Sequence, residues 1–153
     1  MFPLRFRWEQ RLLPSSATKR GPKRPSSPKD CGFMRVLIAD DNALVREGIA
    51  EILADNAWEV CGQVSNGPET LEQVRILRPD VVLLDISMPG TNGLKIAATI
   101  RHDIPAVKVV IVSQHDFDHV LGDAQRELAD GFVDKSRLGT DLVPTLARIL
   151  ANG

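Results

Sequence analysis

In Val36-Leu-Ile-Ala-Asp-Asp-Asn42, a short apolar run stops at two acids and an amide. The apolar run predicts a strand, and the polar residues that follow it include good helix N-cap residues. Apolar side chains then recur at helical spacing from Leu44 to Leu53. The stretch therefore predicts a strand that leads directly into an amphipathic helix.

The same alternation of strand and helix continues along the chain. Val81-Val-Leu-Leu84 shows no polar alternation, so both faces of that strand are predicted to be buried. Pro144 is expected in the first turn of the last helix, where proline is tolerated. The predicted elements are strands at 35–39, 58–64, 81–84, 107–112 and 131–133, and helices that begin near Leu44, Pro68 and Leu94 or lie at 118–128 and 142–150. Connections of this length predict an α/β fold with a five-stranded parallel sheet and helices on both faces.

Charge and proline content divide the chain near residue 33. Residues 1–33 hold eight of the 19 basic and two of the 20 acidic residues, together with five of the ten prolines. Such a segment cannot bury enough apolar surface to offset the entropy of ordering it. We therefore expect residues 1–33 to be a basic, proline-rich, disordered extension or a start assigned too early, with Met34 as the true start, and residues 34–153 to be one domain. A basic arm for nucleic acid or anionic lipid stays open as an alternative.

The composition excludes several classes of protein. With 43% hydrophobic and 25% charged residues in a chain of 153, it is that of an ordinary globular domain rather than a collagen or a coiled coil. The chain has no apolar run long enough for a transmembrane helix. Two cysteines and three histidines show no zinc-ligand spacing, so a structural zinc site is not predicted.

Polar side chains follow four of the five predicted strands. Asp40 and Asp41 come after the first strand, Asp85 after the third, Ser113 after the fourth and Lys135 after the fifth. The carboxyl ends of parallel strands share one edge of a sheet, so these side chains are expected to converge. Three carboxylates that converge repel one another unless a cation neutralises them, and hard oxygen ligands suit Mg²⁺. A carboxylate at such a site can act as a nucleophile toward phosphorus.

Each of these residues also has a simpler explanation when it is taken alone. Asp40, Asp41 or Asn42 could be nothing more than a cap of the following helix, and Ser113 could merely end a strand. Lys135 could be a solvated surface charge, and Phe132 could be an ordinary core residue. The joint placement at four strand ends is what favours a functional site.

This pattern resembles the receiver domain of bacterial two-component response regulators over about residues 35–151. The residues that carry the resemblance are Asp40-Asp41, Asp85 with Met88-Pro89-Gly90 and Gly93, Ser113, and Phe132 three residues before Lys135. Residues 36–48 are most similar to the branch that usually carries a LuxR-type helix-turn-helix. The resemblance implies a doubly wound, flavodoxin-like (βα)5 fold and a cytoplasmic signalling protein that is not an enzyme.

The resemblance also implies roles for the strand-end residues. Asp85 would be the phosphoacceptor, which receives a phosphoryl group from a sensor histidine kinase or a histidine phosphotransfer protein. Asp41 and Asp85 would bind Mg²⁺ directly and Asp40 would bind it through water. The backbone carbonyl of Ser87 would complete the protein ligands.

The remaining implied roles concern signalling. Ser113 and Phe132 would form the switch pair, and Lys135 would bond the phosphoryl group. The fourth predicted helix, the fifth strand and the fifth helix would form the output face, which could also support a homodimer. Because no effector domain follows residue 153 in this sequence, we expect a stand-alone receiver or relay component, with no direct contact to nucleic acid or membrane.

The sequence departs from the family pattern at Gln114, at Gly122 and Asp123, and at Leu128, where a glycine is common, and three alternative functions stay open. Gln114 stands where a small residue is usual and could restrict access to Asp85, while Gly122 weakens the predicted helix at 118–128. An aspartyl-phosphate hydrolase would need a second acid at Ser87, and a flavin-binding protein would not place two acids at 40–41. A phosphorylation-independent interaction module is the remaining alternative.

Overall fold

The computed structural model describes residues 34–56, 58–114 and 127–152, which hold five strands and four α-helices. The elements are β1 (Met34–Ala39), α1 (Ala43–Ala54), β2 (Trp58–Val64), α2 (Gly67–Leu77), β3 (Val81–Asp85), α3 (Gly93–Asp103), β4 (Lys108–Ser113), β5 (Gly131–Asp134), a 3₁₀ turn (Lys135–Arg137) and α4 (Leu138–Asn152).

The five strands form one sheet in the order β2-β1-β3-β4-β5, and every neighbouring pair is parallel. This confirms the predicted α/β fold with a five-stranded parallel sheet. Strand β1 lies inside the sheet, with β2 on one side of it and β3, β4 and β5 in that order on the other. A ligand site is therefore expected beyond the carboxyl ends of β1 and β3, where the strand order reverses.

The sheet is buried on both faces, because helices cover each of them. All five residues of β3 are buried, as the absence of polar alternation predicts. One face packs against Val74 of α2 and against Ala97 and Ile100 of α3. On α1, Ile49 and Leu53 are buried, and on α4 Leu142 and Leu146 are buried. The helices α1 and α4 also pack against each other.

The last helix begins earlier than its hydrophobic spacing predicts. Because α4 starts at Leu138, Pro144 lies inside it rather than in its first turn, and that prediction is wrong. Pro144 cannot donate a hydrogen bond to the carbonyl of Thr140, four residues earlier. Both residues are exposed, so water can satisfy that carbonyl. An exposed position explains why the helix tolerates the proline.

Three predictions fall wholly or largely outside the described residues. These are the extension 1–33, most of the helix at 118–128 and the effect of Gly122 on that helix. Glu127 and Leu128, at the end of that predicted helix, lie in a turn. Within the described ranges, no helix has both the length and the apolar character needed to cross a membrane.

Candidate functional site

In the turn after β1, Asn42 rather than either of the two acids caps the following helix. The side chain of Asn42 caps α1, since its Oδ1 accepts hydrogen bonds from the N–H groups of Leu44 at 2.9 Å and Val45 at 3.3 Å. The simpler explanation of Asp40 and Asp41 as helix caps is therefore wrong. Asp40 Oδ1 instead accepts the N–H of Asn42 at 2.8 Å, which orients a carboxylate that is only 1% exposed.

Asp85 is the last residue of β3 and is also 1% exposed. Its Oδ1 accepts the N–H of Ser87 at 2.8 Å, so the loop after the strand holds the carboxylate in place. This loop is itself anchored, because Thr91 Oγ1 accepts the N–H of Gly67 at 3.2 Å. Gly93 closes the loop so near to the backbone of Ile86 that a Cβ at position 93 would collide with it. The connection between β3 and α3 thus fixes the orientation of the Asp85 carboxylate.

Lys135 joins the two buried carboxylates. Its Nζ lies 2.9 Å from Asp40 Oδ2 and 3.1 Å from Asp85 Oδ2, and its side chain is 11% exposed. Only the contact with Asp85 has the angles of a hydrogen bond, so Asp40 Oδ2 is buried without one among the described residues. Asp41 is exposed, and one carboxylate oxygen from each of the three acids falls within 4.8 Å of the others. The structure thus brings together four of the side chains that were predicted to converge, those of Asp40, Asp41, Asp85 and Lys135.

The electrostatics of the site follow from burial and from like charge. Burial raises the pKa of Asp85, and the negative charge of Asp40 raises it further, against the lowering effect of the Ser87 and Lys135 hydrogen bonds. Burial by itself lowers the pKa of Lys135, but its contacts with Asp40 and Asp85 outweigh burial and raise that pKa. Lys135 therefore stays an ammonium, which is one positive charge among three acids.

The donor set fits a divalent cation. Three carboxylates against one ammonium leave negative charge at the site, and each acid offers oxygen, the ligand atom that Mg²⁺ prefers. The buried Asp40 Oδ2 has the Lys135 ammonium as its partner among the described residues, and this carboxylate oxygen can also bind a metal ion or its bound water. The residues present are thus suited to Mg²⁺.

Ser113 and Phe132 lie on neighbouring strands, with Ser113 at the carboxyl end of β4 and Phe132 within β5. Ser113 ends β4, is fully buried and is paired in register with Asp134 of β5. Phe132 is paired with Ile111, two residues before Ser113, and packs against the core on the face covered by α2 and α3. Gln114 is exposed.

Sequence reasoning missed two residues that support the site. Thr91 was overlooked because its partner, the N–H of Gly67, lies in a different connection of the sheet. Arg46 was overlooked because it stands on α1 among other polar residues, yet its Nη1 donates a hydrogen bond to the backbone carbonyl of Asp40 at 2.6 Å. No motif marks either contact, since each depends on how separate elements pack.

Comparison with known proteins agrees with this geometry. The family profile described as the response regulator receiver domain matches residues 36–147. The response regulator GacA of Pseudomonas viridiflava is 36% identical over 120 residues, which are 78% of this chain and 56% of GacA. The transcriptional regulatory protein DegU of Brevibacillus brevis is 31% identical over 121 residues, which are 78% of this chain and 51% of DegU. The chain spans about half the length of these curated relatives.

Solved structures show the same likeness. The signal receiver domain of NarL from Mycobacterium tuberculosis superposes with a TM-score of 0.71 at 33% identity, over 79% of this chain and 98% of that domain. A two-component response regulator of the LuxR family from Aurantimonas sp. SI85-9A1 gives a TM-score of 0.72 at 28% identity, over 78% of this chain and 86% of that one. The sheet order, the acidic strand ends and these similarities lead to one conclusion: the chain belongs to the response regulator receiver domain family.

Proposed function

We propose that Asp85 accepts a phosphoryl group, in a Mg²⁺-dependent reaction, from the phosphohistidine of a sensor histidine kinase or a histidine phosphotransfer protein. The observation that carries the proposal is the position of Asp85, whose buried carboxylate shares the Lys135 ammonium with a second buried carboxylate, that of Asp40. Asp85 is thus held beside both a positive charge and an acidic cluster suited to a divalent cation.

The transfer that we propose is a displacement at phosphorus. A carboxylate oxygen of Asp85 forms a bond to phosphorus while the phosphorus–nitrogen bond of the donor breaks, and the electron pair of that bond stays on the imidazole. The N–H of Ser87 orients the attacking carboxylate through Oδ1. Lys135 already touches Asp85 Oδ2 and can hold an oxygen of the incoming phosphoryl group as a point charge.

Asp40, Asp41 and Asp85 would hold Mg²⁺, with the backbone carbonyl of Ser87 as a further ligand. When bound, Mg²⁺ neutralises negative charge on the phosphoryl group and on the acidic cluster. In this arrangement Asp41, the exposed acid, lies on the side from which solvent and a partner can approach.

The signalling output is the second part of the proposal. A phosphoryl group on Asp85 adds charge at the carboxyl end of β3, close to Ser113 at the end of β4. Ser113 and Phe132 would respond as a switch pair and change the output face that the family resemblance assigns to the predicted helix at 118–128, β5 and α4. That surface would then bind a partner or a second copy of the chain in a cytoplasmic signalling pathway, without the protein acting as an enzyme.

Intact mass spectrometry tests the phosphoacceptor. The full chain is incubated with acetyl phosphate and Mg²⁺, in parallel with Asp85→Asn and with Asp80→Asn as a matched acid from a different part of the sheet. We expect one phosphoryl adduct on the wild type and on Asp80→Asn, none on Asp85→Asn, and none on the wild type in excess EDTA.

Two other results would redirect the proposal. An adduct that persists in Asp85→Asn would place the phosphoacceptor elsewhere. No adduct on a folded wild type would favour the phosphorylation-independent docking module, and Gln114→Ala would then show whether the exposed amide blocks access to Asp85. An aspartyl-phosphate hydrolase lacks support, because the second residue after Asp85 is Ser87 rather than an acid.

A further inference from the structure

Arg46 links the acidic turn after β1 to the neighbouring strand. Its Nη1 donates a hydrogen bond to the backbone carbonyl of Asp40 at 2.6 Å, and its Nε donates one to Gln63 Oε1 on β2 at 3.3 Å. The guanidinium thus reaches from α1 to the ends of β1 and β2. Its planar group presents these donors in a fixed relative geometry, which the single ammonium of a lysine cannot reproduce.

The carbonyl of Asp40 needs a partner from outside the sheet. Pairing of β1 with both of its neighbours ends at Ala39, opposite Leu84 on one side and Val64 on the other. The N–H of Asp40 still donates to the Val64 carbonyl at 3.1 Å, but the next carbonyl lies beyond the ladder. A backbone carbonyl in a residue that is only 1% exposed must be hydrogen-bonded, and Arg46 supplies that bond.

This bond constrains the orientation of both acids. The carbonyl of Asp40 and the N–H of Asp41 belong to one planar peptide unit, so fixing the carbonyl fixes the direction in which Asp41 leaves the turn. The Asp40 carboxylate is held separately, by the N–H of Asn42. Arg46 is therefore the described side chain that ties down the main chain between the two acids.

Arg46 also differs from three other arginines of the domain. Arg75, Arg101 and Arg137 each pair with a carboxylate, whereas the hydrogen-bond partners of Arg46 within the described ranges are two neutral oxygens. Its role is thus to hold a particular main-chain group rather than to neutralise a nearby acid.

We propose that Arg46 is a positioning residue that holds Asp40 and Asp41 in the orientation that binds a divalent cation. The inference rests on the proposed function, because it concerns the same acidic cluster. It adds a residue outside that cluster whose loss weakens cation binding without removing any ligand. Loss of an outer-shell partner of this kind lowers metal affinity by about tenfold or more.

Calorimetric titration of the full chain with Mg²⁺ tests the inference. Arg46→Lys keeps the positive charge but loses the two-point geometry, and we expect about tenfold weaker Mg²⁺ binding. Gln63→Ala leaves the Asp40 contact in place and removes its anchor, so we expect a loss of about threefold that does not add fully to that of Arg46→Lys. Arg75→Lys, the control on α2, should bind Mg²⁺ as the wild type does.

The dependence of phosphorylation on Mg²⁺ separates positioning from a general structural role. In Arg46→Lys the Mg²⁺ concentration for half-maximal adduct formation should rise, while the rate at saturating Mg²⁺ stays near that of the wild type. Equal Mg²⁺ affinity in wild type and Arg46→Lys would overturn the inference and leave the proposed function intact. If Arg46→Lys does not fold, an unchanged affinity in Gln63→Ala would overturn it. A wild type that does not bind Mg²⁺ would overturn both.

Discussion

The two edges of the sheet use acidic residues in opposite ways. At the amino edge, which we define by Asp80 before β3 and Asp130 before β5, each carboxylate serves the backbone of a neighbouring strand. Asp80 Oδ2 accepts the N–H of Arg35 at 2.8 Å, and Asp130 Oδ2 accepts the N–H of Val109 at 2.9 Å. At the carboxyl edge, which we define by Asp40, Asp85, Ser113 and Lys135, two buried carboxylates instead share one ammonium.

The difference shows which acids are explained by folding alone. A carboxylate that accepts a strand N–H joins two elements and stabilises the sheet, so the amino edge needs no further explanation. Two buried like charges that share one ammonium oppose folding. Such an arrangement is typical of a functional site, where local stability is lower than it could be. Removal of an acid should therefore reduce function but not stability at the carboxyl edge, and stability but not function at the amino edge.

Asp85→Asn should produce the largest functional effect with no loss of stability. We expect complete loss of the phosphoryl adduct and a thermal midpoint at pH 7 no lower than that of the wild type. Burial and the charge of Asp40 raise the pKa of Asp85, so above that raised pKa the ionised group lowers the stability of the folded state.

The pH dependence of this variant checks the sign of that argument. As the pH falls through the raised pKa of Asp85, the wild-type carboxyl is protonated and its cost disappears. Any stability advantage of Asp85→Asn, measured by urea unfolding at each pH, should therefore shrink toward lower pH. An advantage that grows as the pH falls would contradict the assignment of a raised pKa to Asp85.

Lys135→Met should produce the largest loss of stability at the carboxyl edge. It leaves Asp40 and Asp85 without their shared positive charge, which we expect to lower the free energy of unfolding by about 3 kcal/mol in EDTA. Mg²⁺ should raise the thermal midpoint of this variant more than that of the wild type, because the cation replaces the missing charge. Arg137→Met, which removes an exposed pair with Asp141, is the control and should change stability by less than about 1 kcal/mol.

Asp80→Ala should separate stability from function at the amino edge. It removes the acceptor for the N–H of Arg35, and we expect a loss of about 1–2 kcal/mol in urea unfolding. Asp80→Asn keeps an acceptor oxygen and should lose less. Phosphoryl adduct formation on Asp85 should be unchanged in both variants. A large drop in adduct formation in a folded Asp80→Ala would mean that the two edges are coupled.

Gly48→Ala should have the smallest effect and should leave the contacts at both edges of the sheet unchanged. Gly48 lies in the interior of α1, and a Cβ at this position would meet no atom within 4 Å. Alanine loses less conformational freedom on folding than glycine does, so we expect a gain of about 0.5–1 kcal/mol in urea unfolding, with unchanged adduct formation. A loss of stability would mean that the exposed face of α1 has a contact beyond the described residues.

The limits of the α4 prediction illustrate what local patterns miss. The apolar spacing of the last helix becomes clear only at Leu142, because the four residues 138–141 are Leu-Gly-Thr-Asp. In the structure the helical turns begin earlier than that. Asp134 Oδ1 accepts the N–H of Ser136 at 2.8 Å, and this contact caps a 3₁₀ turn that leads into α4. A cap formed at the end of a strand has no periodicity, so the pattern placed Pro144 one turn too early in the helix.

At the functional site, too, the local sequence pattern does not settle the role of each residue in the turn after β1. Its three polar residues, Asp40, Asp41 and Asn42, are all good cap residues, so the sequence left open which of them would cap α1. The fold assigns that role to Asn42, buries Asp40 against Lys135 and leaves Asp41 exposed. The contact of Arg46 with the Asp40 carbonyl adds a constraint that no spacing rule contains.

Local sequence patterns are sufficient to predict the alternation of strands and helices and, through it, the edge at which Asp40, Asp85, Ser113 and Lys135 meet. They are sufficient because hydrophobic spacing is local and because parallel strands joined by helices all present their carboxyl ends on one side. Which of these groups contact one another follows from the packing of the folded chain. In the strand order, β4 separates β3 from β5, so Asp85 and Lys135 arise from strands roughly 10 Å apart with no shared hydrogen-bond ladder. The long side chain of Lys135 spans that gap to reach two carboxylates, and such a contact depends on packing rather than on sequence spacing.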